Sequence, residues 1–102
     1  MKLHSITFCL LIKNEEENLR ELIPVIKGIA DSILVGDTGS SDGSVQYLKD
    51  ESIDLQSISW RQSFADARNM LLKSIQTEWV FMIDADERPT EELTTKLMRM
   101  DW

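Results

Sequence analysis

The 102-residue chain holds one cysteine, one histidine, two prolines and four glycines, and each scarcity removes a class of protein. Cys9 has no second cysteine to pair with, so an internal disulfide is excluded; set in an apolar run, it reads as an inert core thiol. His4 stands alone beside a strand, and with no Cys or His cluster a soft-metal site is excluded as well. Basic residues are few: 11 Lys and Arg face 18 acids, for a net charge of -7. No basic stripe is present to replace counterions along a phosphate backbone, which excludes nucleic acid as a partner. An anionic small ligand would need a cation to bridge it to so acidic a protein. Long apolar runs are missing too. The longest near the N-terminus, Ile6 to Ile12, is interrupted by Thr7 and stopped by Lys13-Asn14-Glu15, too short to span a bilayer and followed by no small-residue cleavage site. A cytoplasmic protein without a transmembrane segment is the expectation. Repeats, low-complexity tracts and linkers are absent, so residues 1–102 read as one domain, and 42% hydrophobic residues suffice for one core.

What is there is an alternation of two hydrophobic patterns. Ile6–Ile12, Ser32–Val35 and Trp79–Ile83 are short apolar runs of the kind buried on both faces of a sheet, while Asp54–Trp60 alternates and reads as a weaker strand nearer an edge. Between them lie helical spacings. Asn14 with Glu17 makes a capping pair for a helix carrying Leu19, Leu22, Ile23, Ile26 and Ile29, in which Pro24 predicts a kink or a late start. A second helix begins near Ser41 or Asp42 and carries Val45 and Leu48. A third is capped by Ser63 and carries Phe64, Ala67, Leu71 and Ile75, and Thr90–Met100 forms a short fourth. Strand and helix taking turns predict an α/β fold, a parallel sheet of about four strands with helices on both faces. In such sheets the ligand lies beyond the C-terminal strand ends, where strand order reverses.

Three polar clusters fall at those ends: Lys13-Asn14-Glu15, Gly36 through Gly43, and Asp84-Ala85-Asp86-Glu87. Asn14 alone reads equally as a helix cap, Asp37 as a turn residue, and Gly36, Gly39 and Gly43 as turn glycines. Asp84 and Asp86 are more specific. In extended backbone, residues two apart point the same way, so both carboxylates can face one hard cation such as Mg²⁺ or Mn²⁺; the bland alternative is an acidic surface turn. Arg68 lies by helical spacing on or beside the sheet-facing stripe of the third helix, which predicts either an internal ion pair or a ligand contact.

Lys13-Asn14-Glu15-Glu16-Glu17-Asn18-Leu19, Val35 through Asp42, Phe64 through Asn69, and Trp79 through Glu87 follow one another in the order and spacing of family 2 glycosyltransferases. Within that family the pattern resembles bacterial enzymes that glycosylate peptides, proteins or cell-surface precursors. The resemblance runs from Ile6 to Glu87. It implies the Rossmann-like nucleotide-sugar-binding half of a GT-A fold, a UDP-sugar donor, and Mn²⁺ or Mg²⁺. Carried over by position, Asn14 and Glu15 would line the nucleoside pocket and Asp37 would accept a hydrogen bond from the base. Arg68 would lie near the base or diphosphate, Asp84 would hold the ribose or a metal-bound water, and Asp86 would coordinate the metal. Gly36 stands where relatives often have a bulkier apolar residue, which weakens the strand end, and Gly43 stands where Thr or Arg is common.

The catalytic base is expected beyond Trp102, as part of a longer protein, so these residues alone are expected to bind donor without efficient transfer. Self-association through an exposed sheet edge is the accompanying expectation. The rival reading is a non-catalytic nucleotide-sugar or metal-binding module. An aspartate-nucleophile phosphatase fits poorly, because the Asp-x-Asp pair is on the last strand and Arg88 follows it. A methyltransferase fits poorly because the glycine-rich loop gives way to Ser40-Ser41-Asp42.

Overall fold

The computed structural model describes residues 5–58 and 64–88. Strands and helices alternate: β1 (Ile6–Ile12), α1 (Glu16–Lys27), β2 (Ser32–Asp37), α2 (Ser44–Asp50), β3 (Asp54–Ser57), α3 (Phe64–Leu72) and β4 (Trp79–Met82). All pairings are parallel, and the sheet order is β3-β2-β1-β4. The chain moves outward from β1 to β3 and then returns to the other side of β1. Strand order therefore reverses between β1 and β4, which places the crevice of such a sheet beside the loops that follow these two strands.

The period-two alternation of β1 divides the core. Ile6, Phe8, Leu10 and Ile12 join Leu19, Leu22, Ile23 and Ile26 of α1 and Leu48 of α2 on one face. Cys9, with Leu34, Ile58, Ala67 and Leu71, makes the smaller core under α3 on the other. Each fully buried Leu or Ile contributes about 1.5–3 kcal/mol, so the α1 face carries most of the stabilisation. Among the described residues no helix is long and apolar enough to cross a membrane.

Several elements depart from the sequence reading. The run Trp79–Ile83 is not buried on both faces: β4 ends at Met82 and is an edge strand among the described residues, with Trp79 53% and Phe81 36% exposed. Its apolar residues serve β1 instead, where Phe81 stacks on buried Phe8 with ring centroids 5.3 Å apart. Strand β2 runs on through Gly36 and Asp37, so Gly36 is an interior strand residue, not a turn glycine. A Cβ there would lie 3.0 Å from side-chain atoms of Leu11, Ile58 and Leu71, so the missing side chain lets three neighbours close over the strand. Helix α1 starts at Glu16 and runs through Pro24, so the late start is not observed. Helix α2 starts at Ser44, after the predicted Ser41 or Asp42. Helix α3 stops at Leu72, and Ile75 packs on the same small core from beyond its end. Strand β3 is shorter than Asp54–Trp60. Trp60, the Ser63 cap, His4 and the segment Thr90–Met100 lie outside the described residues.

Candidate functional site

The loops after β1 and β2 are sewn together by groups that sequence spacing alone does not connect. Asn14 is not the cap of α1. It adopts a left-handed backbone (φ 56°), a conformation asparagine tolerates better than most residues. Its Oδ1 accepts the N–H of Ser41 at 2.7 Å and of Asp42 at 3.2 Å, while its own N–H donates to Ser40 Oγ at 2.8 Å. The free amides that open α1 are capped from across the sheet: Glu15 N–H donates to Ser44 Oγ (3.0 Å) and Glu16 N–H to Asp42 Oδ2 (3.3 Å). Glu16 returns the contact, accepting Gly43 N–H at 3.0 Å. Its other oxygen pairs with Arg20 at 2.9 Å, and the Arg20 guanidinium lies over the Tyr47 ring. Gly43 sits here because a Cβ would come within 2.4 Å of the Glu16 carboxylate. The side-chain hydrogen bond from Ser44, reinforced by backbone donors, holds the Asp42 carboxyl below the usual carboxylate range.

Asp37 closes β2 and is 9% exposed. Both carboxylate oxygens lie 3.2 Å from Ser40 N–H, across a turn whose Gly39 has φ 127°. Of the three glycines read as turn residues, Gly39 is the one that needs the left-handed freedom. The loop is further pinned to β1 by Thr38, whose N–H and Oγ1 both donate to the Ile12 carbonyl.

The third cluster is a turn, not a strand end. Because β4 stops at Met82, Asp84 and Asp86 are not alternate residues of an extended segment, and the argument that both point one way from a strand does not apply. The turn is built otherwise. Asp84 N–H donates to Glu87 Oε1 (2.8 Å), Glu87 N–H donates to the Asp84 carbonyl (2.9 Å), and Ala85 is buried in the α1-side core. Desolvation, then the charges of Glu87, Asp86 and Glu15, push the Asp84 carboxyl up from its ordinary value. Arg88 Nη2 donates to Asn18 Oδ1 (3.2 Å) and Asn18 Nδ2 donates to Glu15 Oε2 (2.8 Å), and these bonds tie the β1 loop to the β4 turn at the switch point of the sheet.

Arg68 is exposed, one residue past buried Ala67 and three before buried Leu71, so the sheet-facing stripe passes it by. One residue is about 100° around a helix. Among the described residues Arg68 makes no ion pair, so the internal-pair reading has no support there. The structure thus gathers Asn14, Glu15 and Asp37, through Ser40, with the Asp84–Glu87 turn, and leaves Arg68 outside this hydrogen-bonded set. Sequence reasoning missed Ser40, Ser44, Glu16 and Arg88. A Ser-Ser-Asp-Gly-Ser run immediately before a helix was a signal for the first two, and a single cation directly after three acids was a signal for Arg88.

A shallow cavity of about 380 Å³ lies against this edge, lined by Asn14, Glu15, Glu16, Glu17, Asn18 and Asp42. A larger concavity of about 490 Å³ opens at the opposite edge between the strand starts. Its hydroxyls and the Gln56 amide are bonded to each other, Thr7 to Ser32 and Thr77 and Gln56 to Ser74, so it offers fewer free groups for a ligand. The acidic edge is therefore the candidate site. Among the described residues no three Asp, Glu, His or Cys side chains converge as a self-sufficient metal cage. An all-oxygen donor set of one or two carboxylates, completed by phosphate oxygens and water, is the arrangement Mg²⁺ and similar hard cations use with phosphorylated ligands.

Known proteins share the family pattern and the fold. The sequence profile described as Glycosyl transferase family 2 matches residues 7–100. The SPbeta prophage-derived glycosyltransferase SunS of Bacillus subtilis is 26% identical over 98 residues, covering 94% of this chain and 23% of that protein. A TPR repeat-containing protein of Synechococcus elongatus is 28% identical over 92 residues, covering 90% of this chain and 23% of that protein. The chain thus spans about a quarter of the length of these curated relatives. Among solved structures, glucosyl-3-phosphoglycerate synthase from Mycobacterium tuberculosis, in complex with Mn²⁺, UDP and glucosyl-3-phosphoglycerate, superposes with a TM-score of 0.65 at 21% identity. That match covers 84% of this chain and 36% of the synthase. The same synthase has been solved with Mn²⁺, UDP-glucose and phosphoglyceric acid, at the same TM-score.

Proposed function

The chain belongs to glycosyl transferase family 2, and from that premise we propose that it is the donor-binding part of a glycosyltransferase that takes a UDP-sugar through a divalent cation. The observation that carries the reading is the hydrogen-bonded link from Glu15 through Asn18 and Arg88 to the Asp84–Glu87 turn, where strand order reverses. Relatives in fold are named as complexes with Mn²⁺ and UDP or UDP-glucose, which supports the donor class. In this reading the nucleoside lies over the β1 and β2 loops. Asp37, fixed by the Ser40 amide, offers remaining acceptor capacity to the base. Asn14 shapes the pocket, its Oδ1 being committed to Ser41 and Asp42. Arg68, exposed on α3, approaches the base or diphosphate.

Asp86 would coordinate the cation, and Asp84 would hold the cation itself, a water bound to it, or the ribose. Bound there, Mn²⁺ or Mg²⁺ supplies the positive charge that the departing diphosphate needs as the sugar–phosphate bond breaks. The residues of the chain do the rest: they bind the nucleoside and orient the diphosphate against the turn. Glu87 is committed to the Asp84 amide, so it is not assigned as the base that deprotonates the acceptor. The acceptor itself, peptide, protein or saccharide, has no assignment among the described residues.

The test is equilibrium binding of UDP-glucose with Mn²⁺, followed over time for release of UDP. Metal-dependent binding with slow release is expected. Binding with no release at all would favour the non-catalytic module, and no binding would sink the donor-site reading.

A further inference from the structure

We propose that Arg88 is a positioning residue: it holds the Asp84–Glu87 turn against α1, so that the carboxylates of that turn meet the cation in one fixed arrangement. The proposal rests on the donor-site reading above. One guanidinium nitrogen, Nη1, donates to the carbonyls of Ala85 and Glu87, both at 2.7 Å. The other, Nη2, donates to Asn18 Oδ1 at 3.2 Å and to Glu21 Oε2 at 2.7 Å. The planar fork therefore spans the turn on one side and α1 on the other, a task that a lysine point charge cannot duplicate.

The contact extends further. Asn18, held by Arg88 through its oxygen, donates from Nδ2 to Glu15 Oε2 at 2.8 Å. One arginine thus fixes the turn and, through one amide, the acid that faces it from the β1 loop. Ala85 anchors the same turn from below, buried in the core. Without Arg88 the turn keeps its hydrophobic anchor and its Asp84–Glu87 bonds but loses its bracing on α1. The Arg88–Glu21 pair is itself a surface contact, with Glu21 73% exposed, so it adds little to overall stability. Its consequence lies in where the carboxylates stand. Groups that orient metal-binding carboxylates commonly change metal affinity by about 10- to 100-fold when removed.

The experiment uses the whole chain and the variants Arg88→Ala, Arg88→Lys and Glu21→Ala. Three quantities are measured on each: Mn²⁺ affinity in the presence of UDP, uridine affinity in chelator, and melting temperature. Arg88→Ala is expected to weaken Mn²⁺ binding about 10- to 100-fold. Arg88→Lys should recover only part of it, and Glu21→Ala should show a smaller loss in the same direction. Uridine affinity and melting temperature should stay near wild type. Wild-type Mn²⁺ affinity in both Arg88→Ala and Glu21→Ala overturns the proposal, as does an equal fall in Mn²⁺ and uridine affinity, which would mark general loosening. If Arg88→Ala does not fold, Glu21→Ala, on an exposed helix surface, decides alone. Absence of Mn²⁺-dependent UDP binding in the wild type removes the donor-site reading and Arg88's role with it, a result distinct from a wild type that binds and variants that match it.

Discussion

The loops that follow β1 and β2 and the turn that follows β4 meet at the same edge of the sheet but are held by opposite means. In the paired loops every acid has donors: Asp37 takes Ser40, Asp42 takes Ser44 and Glu16, and Glu16 takes Gly43 and Arg20. The β4 turn gathers Asp84, Asp86 and Glu87 opposite Glu15, and its one braced cation, Arg88, is spent on carbonyls and on α1. The first region is complete as folded. The second carries negative charge that a ligand's cation would neutralise. The difference separates stability from binding: substitutions in the loops should loosen the fold, and substitutions in the turn should spare it.

Asn14→Ala is the largest expected break in that contrast. It removes the acceptor of two amides and places alanine in a left-handed backbone, for a loss on the order of 2 kcal/mol. Thermal denaturation should show a fall of about 10 °C in a domain of this size. Gly43→Ala comes next. The added Cβ displaces the Glu16 carboxylate from Gly43 N–H, one hydrogen bond or about 1 kcal/mol, read in urea as a lower midpoint with unchanged slope.

Asp86→Asn should by contrast melt within about 0.5 kcal/mol of wild type or slightly above it, since it removes one charge from a repulsive cluster. A loss as large as that of Asn14→Ala would erase the distinction between the regions. Asp42 adds a pH test. Its folded pKa is depressed, so its contribution is present above the unfolded value and is lost as pH falls through the folded one. Asp42→Asn should therefore melt below wild type at neutral pH, with the gap closing in acid. The smallest effect is at Cys9, whose thiol burial pushes up to about 11. Native protein should resist a thiol reagent at pH 8 and react only on unfolding.

The alternation of apolar runs and helical stripes was enough to read the parallel sheet and the placement of the clusters at strand ends, because those features are local and periodic. The partners were not local. Asn14 looked like a cap because a cap is what spacing can show, whereas Ser40, Ser41 and Asp42 lie some 26 to 28 residues away. Arg68 falls beside the stripe, one of the two places its spacing allows, and is exposed there because one residue of helix turns a side chain aside. The β4 run was read as doubly buried from hydrophobicity alone, which cannot tell a central strand from an edge strand. Strand geometry does not extend to Asp84 and Asp86, two and four residues past the end of β4.

In the proposed reading, nucleoside and cation are handled by these two separate regions. Calorimetric titration of UDP into wild type, Asp37→Ala and Asp86→Asn, each with Mn²⁺ and with chelator, tests it most directly. Expected are tighter binding with Mn²⁺ in the wild type, loss of that gain in Asp86→Asn with chelator affinity unchanged, and an equal weakening under both conditions in Asp37→Ala. Equal wild-type affinity with and without Mn²⁺, or an Asp86→Asn protein that keeps the full metal gain, would contradict it.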